Sequence, residues 1–245
     1  MSDNDYKISV SASGAARFLV ILMAIIVFLS SVGQLVVYLT GHNYVYGLIE
    51  LFYIDDEGNI PTFFSASLLL FSSLLLGIIA TFKIKSGAPY KYHWALLGFV
   101  LLYLAIDEAS YIHELFYRPM GDLLGNEIQE SMLAIWVIPG IVFVAVLGMT
   151  FVKFWLHLDP RTKKFFLLSA VIYFGGAIGV ESLGSVYLEV FSEAVFAEMP
   201  VENLIYCLMA TIEETMEMGG VIMLIYSLLD YMGKNYGEVA VDLRG

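Results

Sequence analysis

The stretch Ala105–Leu115 reads AIDEASYIHEL, and it puts Asp107, Glu108, His113 and Glu114 at the end of an apolar run that begins near His93. Two later apolar runs carry acids as well: Glu181 in YFGGAIGVESLGS, and Glu213, Glu214 and Glu217 in ATIEETMEMGG. A carboxyl group placed in lipid is costly, so acids inside hydrophobic spans require a partner or a function. The fold and the function both turn on whether these acids meet.

Composition sets the class. The chain has 245 residues, 59% of them hydrophobic, with a mean hydropathy of +0.79. Only 15% are charged, against about a quarter in a soluble domain. Long uncharged runs then point to an all-α, polytopic membrane bundle of about six helices, multi-pass in the cell membrane with the lipid bilayer as its partner. The net charge of -12 argues against a nucleic-acid partner. The single cysteine, Cys207, excludes an internal disulfide and any multi-cysteine metal site.

The spans fall at about 18–39, 62–82, 93–114, 132–151, 165–188 and 201–229, between an N-terminal segment 1–17 and a tail 230–245. The first run is too long for a signal peptide and has no clear cleavage site, so it reads as a retained span. Residues 41–61 start aromatic and aliphatic, fitting a segment at the interface or folded back on the bundle, and end in a polar turn where Asp55, Asp56 and Glu57 read as solvated. Pro139 and Gly140 predict a bend in the fourth span. Lys83, Lys85 and Lys91 lie in the second connector and Lys153, Arg161, Lys163 and Lys164 in the fourth, whereas the first and fifth have no base. That alternation predicts cytoplasmic N and C termini and an acidic outer face.

Depth and facing place the acids. With a helix rise of about 1.5 Å per residue, Asp107 sits about 21 Å and Glu114 about 31 Å in from the cytoplasmic side, and Glu181 about 24 Å in. Glu213 and Glu217 lie about 18 and 24 Å below the outer side. At about 100° per residue, Asp107, Ser110, Tyr111 and Glu114 share a face of the third span, with Glu108 on its edge. Glu202, Tyr206, Glu213, Glu217 and Gly220 form a stripe on the sixth, flanked by Glu214. The small residues Gly175, Gly176, Ala177 and Gly179 favour a close helix approach beside Glu181.

No lysine or arginine lies within any of these spans, so protons, water or a cation must offset several gathered carboxylates. Three functions follow. In the first, Asp107, Glu108, His113, Glu114, Glu181, Glu213, Glu214 and Glu217 hold a divalent metal, iron or manganese in preference to zinc, for an oxidoreductase or hydrolase acting on a membrane-associated small substrate. Tyr111 and Tyr206 position that substrate. The Glu-x-x-His pairs of bundle di-metal sites are missing, which weakens this reading. In the second, the acids relay protons or bind a cation for transport. In the third, protonated acids hydrogen-bond across helices in a structural or assembly subunit of a membrane complex.

Overall fold

The computed structural model describes residues 7–9, 11–42, 44–112, 115, 138–195, 204–237 and 240–242. Helix α1 spans Ala12–Thr40; a 3-10 turn at Val45–Gly47 leads into α2, Leu48–Phe52. Then come α3 (Ile60–Lys85), α4 (Lys91–Ser110), α5 (Ile138–His157) and α6 (Pro160–Phe174). A π-helical segment, Gly175–Val180, joins α6 to α7 (Glu181–Val195), and α8 covers Leu204–Tyr236. The helical bundle has one addition: strand β1 (Lys7–Ser9) pairs antiparallel with β2 (Ala240–Asp242), Ile8 opposite Val241.

Local chemistry sets the helix ends. Ser11 caps α1 by accepting a hydrogen bond from the Gly14 N–H at 3.0 Å, and Gly41 closes it in the left-handed conformation at φ 68°. Asn59 and Asp159 cap α3 and α6, each followed by a proline in the first turn, where the missing N–H costs nothing. Among the described residues, five helical stretches are long and apolar enough to cross a membrane: α1, α3, α4, α5, and the run Pro160–Leu188 through the π segment. Helix α8, with 33 residues, is not among them, since it carries Glu213, Glu214, Glu217, Asp230 and Lys234.

Helix α8 is the centre of the bundle and packs against α1, α3, α6 and the π segment, while α4 lies along α3. Leu76 and Ile79 of α3 meet Met218, Ile225 and Leu228 of α8 in a core closed to solvent. At one end Trp94 ties four helices together, with Phe154, Phe166 and Tyr231 at centroid distances of 5.0, 6.0 and 4.8 Å. The same end gathers bases. The Arg161 guanidinium lies 3.2 Å and the Lys234 ammonium 2.6 Å from the Asp230 carboxylate, and Lys83 sits over the Tyr231 ring.

Two sequence expectations change in detail, and a third meets the edge of the described residues. The third helix stops at Ser110 instead of running to 114, because Tyr111 turns left-handed (φ 56°) and donates its N–H back to the Asp107 carbonyl. The face that joined Asp107 to Glu114 by helical spacing therefore does not continue; His113 and Glu114 lie outside the described residues. Pro139 and Gly140, where the sequence predicts a bend, stand at the edge of the described part of α5, and residues 116–137 before them lie outside the described residues. The fifth span is not one uninterrupted α-helix, since its glycine-rich middle widens into a π turn.

Candidate functional site: a carboxyl chamber opposite the basic end

The site is built where α8 meets the π segment. Gly176 lets the backbones touch: a Cβ there would lie 2.8 Å from the Glu213 carbonyl oxygen and 3.2 Å from the Glu217 Cγ. Gly220 does the same from α8, since a Cβ on it would lie 2.7 Å from the Tyr173 nitrogen. The Ser169 hydroxyl, which donates to the Gly220 carbonyl at 2.8 Å, locks this register. The π segment thus delivers Glu181 directly against the glutamates of α8. Single-turn π insertions of this kind recur at functional sites because they re-aim one side chain without ending the helix.

The acids gather in consequence. The Glu181 carboxyl lies within interaction range of the Glu213 carboxyl. Glu217 lies within electrostatic reach of Glu108 and Glu181, and Glu214 of Glu217, Glu108, Asp55 and Glu181. Tyr173 of α6 sits among Glu217, Glu108, Glu214 and Asp107. All of these side chains are half-buried. The described bases, Lys83, Lys85, Lys91, Lys153, Arg161, Lys163, Lys164 and Lys234 among them, stand at or near the other ends of their helices. The structure therefore brings together six of the eight acids and histidines singled out from sequence: Asp107, Glu108, Glu181, Glu213, Glu214 and Glu217. His113 and Glu114 fall outside the described residues.

The connector between α1 and α3 folds over this chamber. Ile49, Tyr53 and Ile54 are buried, and the Ser30 hydroxyl of α1 accepts the Ile54 N–H at 3.0 Å while also accepting from Gln34 at 3.1 Å. Asn59 donates to the Tyr53 carbonyl at 2.6 Å and so closes the loop on itself. This pinning aims Asp55 inward, against the expectation of a solvated turn. Asp55 accepts hydrogen bonds from the Tyr53 hydroxyl at 3.2 Å and the Tyr206 hydroxyl at 3.4 Å. Burial pushes its carboxyl up to about 6; the two tyrosine hydroxyls oppose the shift, and the Glu181 and Asp56 charges add to it. Burial, with the Asp55 charge behind it, also pushes the Tyr53 phenol well above its ordinary range.

The two tyrosines proposed from sequence take different places. Tyr206 holds Asp55. Tyr111 reaches the turn of the same loop, where a Cβ on Gly58 would lie 2.7 Å from its hydroxyl oxygen. Asp55 and Tyr173 are the site residues that sequence reasoning missed. Asp55 sits in a run of three acids that resembles any exposed turn, and Tyr173 is one aromatic among many. Among the described residues, no three histidine, cysteine, aspartate or glutamate side chains converge closely enough to hold a metal ion. His42 is exposed and contacts the Thr40 carbonyl, and His93 and His157 pack around Tyr90 at the basic end.

These features define a helical bundle of membrane-spanning proportions with an internal carboxyl chamber. The chain belongs to a family described as a domain of unknown function, DUF8692, whose pattern matches residues 16–231 and so takes in every element of the chamber. No curated protein and no solved structure matches the chain.

Proposed function

We propose that the protein is a six-span integral membrane protein of the cell membrane with both termini cytoplasmic, and that its carboxyl chamber binds protons and exchanges them for a cation. Three observations support the membrane arrangement. Five helical stretches have the required length and composition. The pairing of β1 with β2 holds the two chain ends together, as an even number of crossings requires. The bases collect at that same end.

The exchange reading rests on one observation: Glu181 and Glu213 lie within interaction range of each other, with Glu108, Glu214 and Glu217 around them and no described base among them. Carboxylates crowded in a medium of low dielectric cannot all ionise, so each one that ionises needs a counter-charge, and a proton or a cation supplies it. Asp55, hydrogen-bonded under the loop at the side away from the bases, is the group through which the chamber meets the aqueous phase. The metal-enzyme reading loses ground because its described donors do not converge.

The test uses the purified protein in lipid nanodiscs. Adding sodium, potassium, calcium or manganese ions, matched in pH, to a weakly buffered sample should release protons, read as a fall in pH by a pH dye. Glu213→Gln should reduce the release at least about threefold, because one of the crowded carboxyls is then removed. Absence of proton release with every ion would overturn the exchange function. Stoichiometric tightly bound iron or manganese in the purified protein, lost in Glu217→Ala, would replace it with the metal-enzyme reading.

A further inference from the structure

A second feature of the bundle lies apart from the carboxyls in chemistry but touches them in space. Between α4, α5, α6 and α8 there is a cavity of about 370 Å³, within the size range of ligand sites. Its walls are hydrocarbon and aromatic, among them Leu97, Leu104, Val144, Phe151 and Leu167, and none of its described lining residues is charged. The cavity exists because α5 stands away from the bundle: Phe154 is its one fully buried residue. Along α5 the lining runs from Val144 to Trp155, a length of about 16 Å at the helical rise. The cavity therefore runs along α5 as an apolar tube.

The polar groups on its wall fix which way an occupant lies. Ser169 lines the cavity, but its hydroxyl is committed to the Gly220 carbonyl at 2.8 Å. Tyr173 also lines it, and Tyr173 is the residue that sits among Glu108, Glu214 and Glu217. The tube is therefore apolar along its length and meets the carboxyl chamber at Tyr173. We infer that it is a binding site for a single hydrocarbon chain of a membrane lipid, entering past α5, with the chain's polar end directed to Tyr173 and the carboxyls. A charged or hydrogen-bonding solute would find no partner along these walls and would lose its hydration. The bilayer supplies hydrocarbon chains to the exposed side of α5 at high local concentration. The inference rests on the membrane placement proposed above and goes beyond the exchange function, since it concerns a ligand that carries no proton.

The experiment uses the full-length protein in nanodiscs containing a phospholipid with a diazirine on one acyl chain. After illumination and digestion, adducts are mapped by mass spectrometry. Adducts are expected both on outward residues of α1 such as Phe18 and Phe28, which report membrane contact, and on the lining residues of α4, α6 and α8. Gly148 lines the tube with nothing within 4 Å of where its Cβ would lie, so Gly148→Phe should fill the space without a clash. It should cut adducts on Leu97, Leu104 and Leu167 at least about fivefold while leaving those on α1 unchanged. Ala170→Phe, from the opposite wall, should do the same. Adducts on α1 with none on the lining, or lining adducts that neither variant reduces, would overturn the chain site and leave the membrane placement standing. Absence of adducts on α1 as well would overturn both.

Discussion

Asp55 is held by its own loop and by Tyr206 near the N-terminal end of α8, and its raised carboxyl makes a signed prediction. A group whose proton affinity is higher in the folded state than in the unfolded chain stabilises the fold fully below its unfolded pKa, and that stabilisation is lost as the pH rises through the folded value. For Asp55 the window runs from the ordinary aspartate value of 3.8 to about 6. A shift of this size corresponds to about 3 kcal/mol, and partial exposure reduces it to about 1 kcal/mol. Asp55→Asn keeps an oxygen that can accept from Tyr53 and Tyr206 but has no charge to bury. Its midpoint of thermal unfolding in detergent should therefore gain on the parent protein by about 2–4 °C between pH 4 and pH 7. A gap that stays constant across that range would mean that Asp55 is solvated. The residue also marks a limit of sequence reading. Asp55, Asp56 and Glu57 are three acids before a glycine, and only the anchoring of Ile54 to Ser30, 24 positions away, distinguishes the buried one.

At the scale of elements, the helices are more legible in the sequence than their interruptions. Long apolar runs make α1, α3 and α6 readable, because hydropathy is a local property, but the caps Ser11, Asn59 and Asp159 start each helix ahead of its predicted span. The end of α4 is not, since no proline or glycine stands at Tyr111 to announce a left-handed residue. The π segment is half legible: its glycines suggest close approach but carry no sign of a wider turn. That segment and Gly220 set the spacing of the site, and adjacent glycines on α8 test the point. A Cβ on Gly219 would meet nothing within 4 Å, whereas a Cβ on Gly220 would lie 2.8 Å from the Tyr173 Cβ and 2.7 Å from its backbone nitrogen. Gly219→Ala should be neutral or add up to about 1 kcal/mol through helix propensity. Gly220→Ala should cost about 1–3 kcal/mol or more, as overpacking does, and should displace Tyr173 from the glutamates. Thermal unfolding of the two variants side by side, with tyrosine fluorescence as a second readout, separates the outcomes. Equal behaviour would mean that α6 and α8 are not in backbone contact.

For the whole molecule, the separation of charge along the bundle decides how it sits. Asp55 and Tyr206 lie at one end; Lys83, Arg161, Asp230 and Lys234 meet at the other, where β1 and β2 also pair. A bundle with its bases at one end is oriented with that end in the cytoplasm, so each exposed connector has a predicted side. In a Cys207→Ser background, which removes the one native thiol, single cysteines replacing His42 or Asp56 should react with a membrane-impermeant maleimide added to intact cells. Cysteines replacing Lys85, Lys164 or Lys234 should react only after the membrane is opened. Every site reversed would invert the orientation and place Asp55 on the cytoplasmic side, making the chamber an inward-facing one. Lys85 and Lys234 on opposite sides would break the even number of crossings and with it the shared end that β1 and β2 define. The expected pattern instead leaves the carboxyls open to the outside through Asp55 and closed toward the cytoplasm by the Leu76, Ile79, Met218 and Ile225 core. A passage through that core would require α3 and α8 to part, so under the expected orientation the proposed exchange of protons for a cation would, in the described conformation, take place with the outer side.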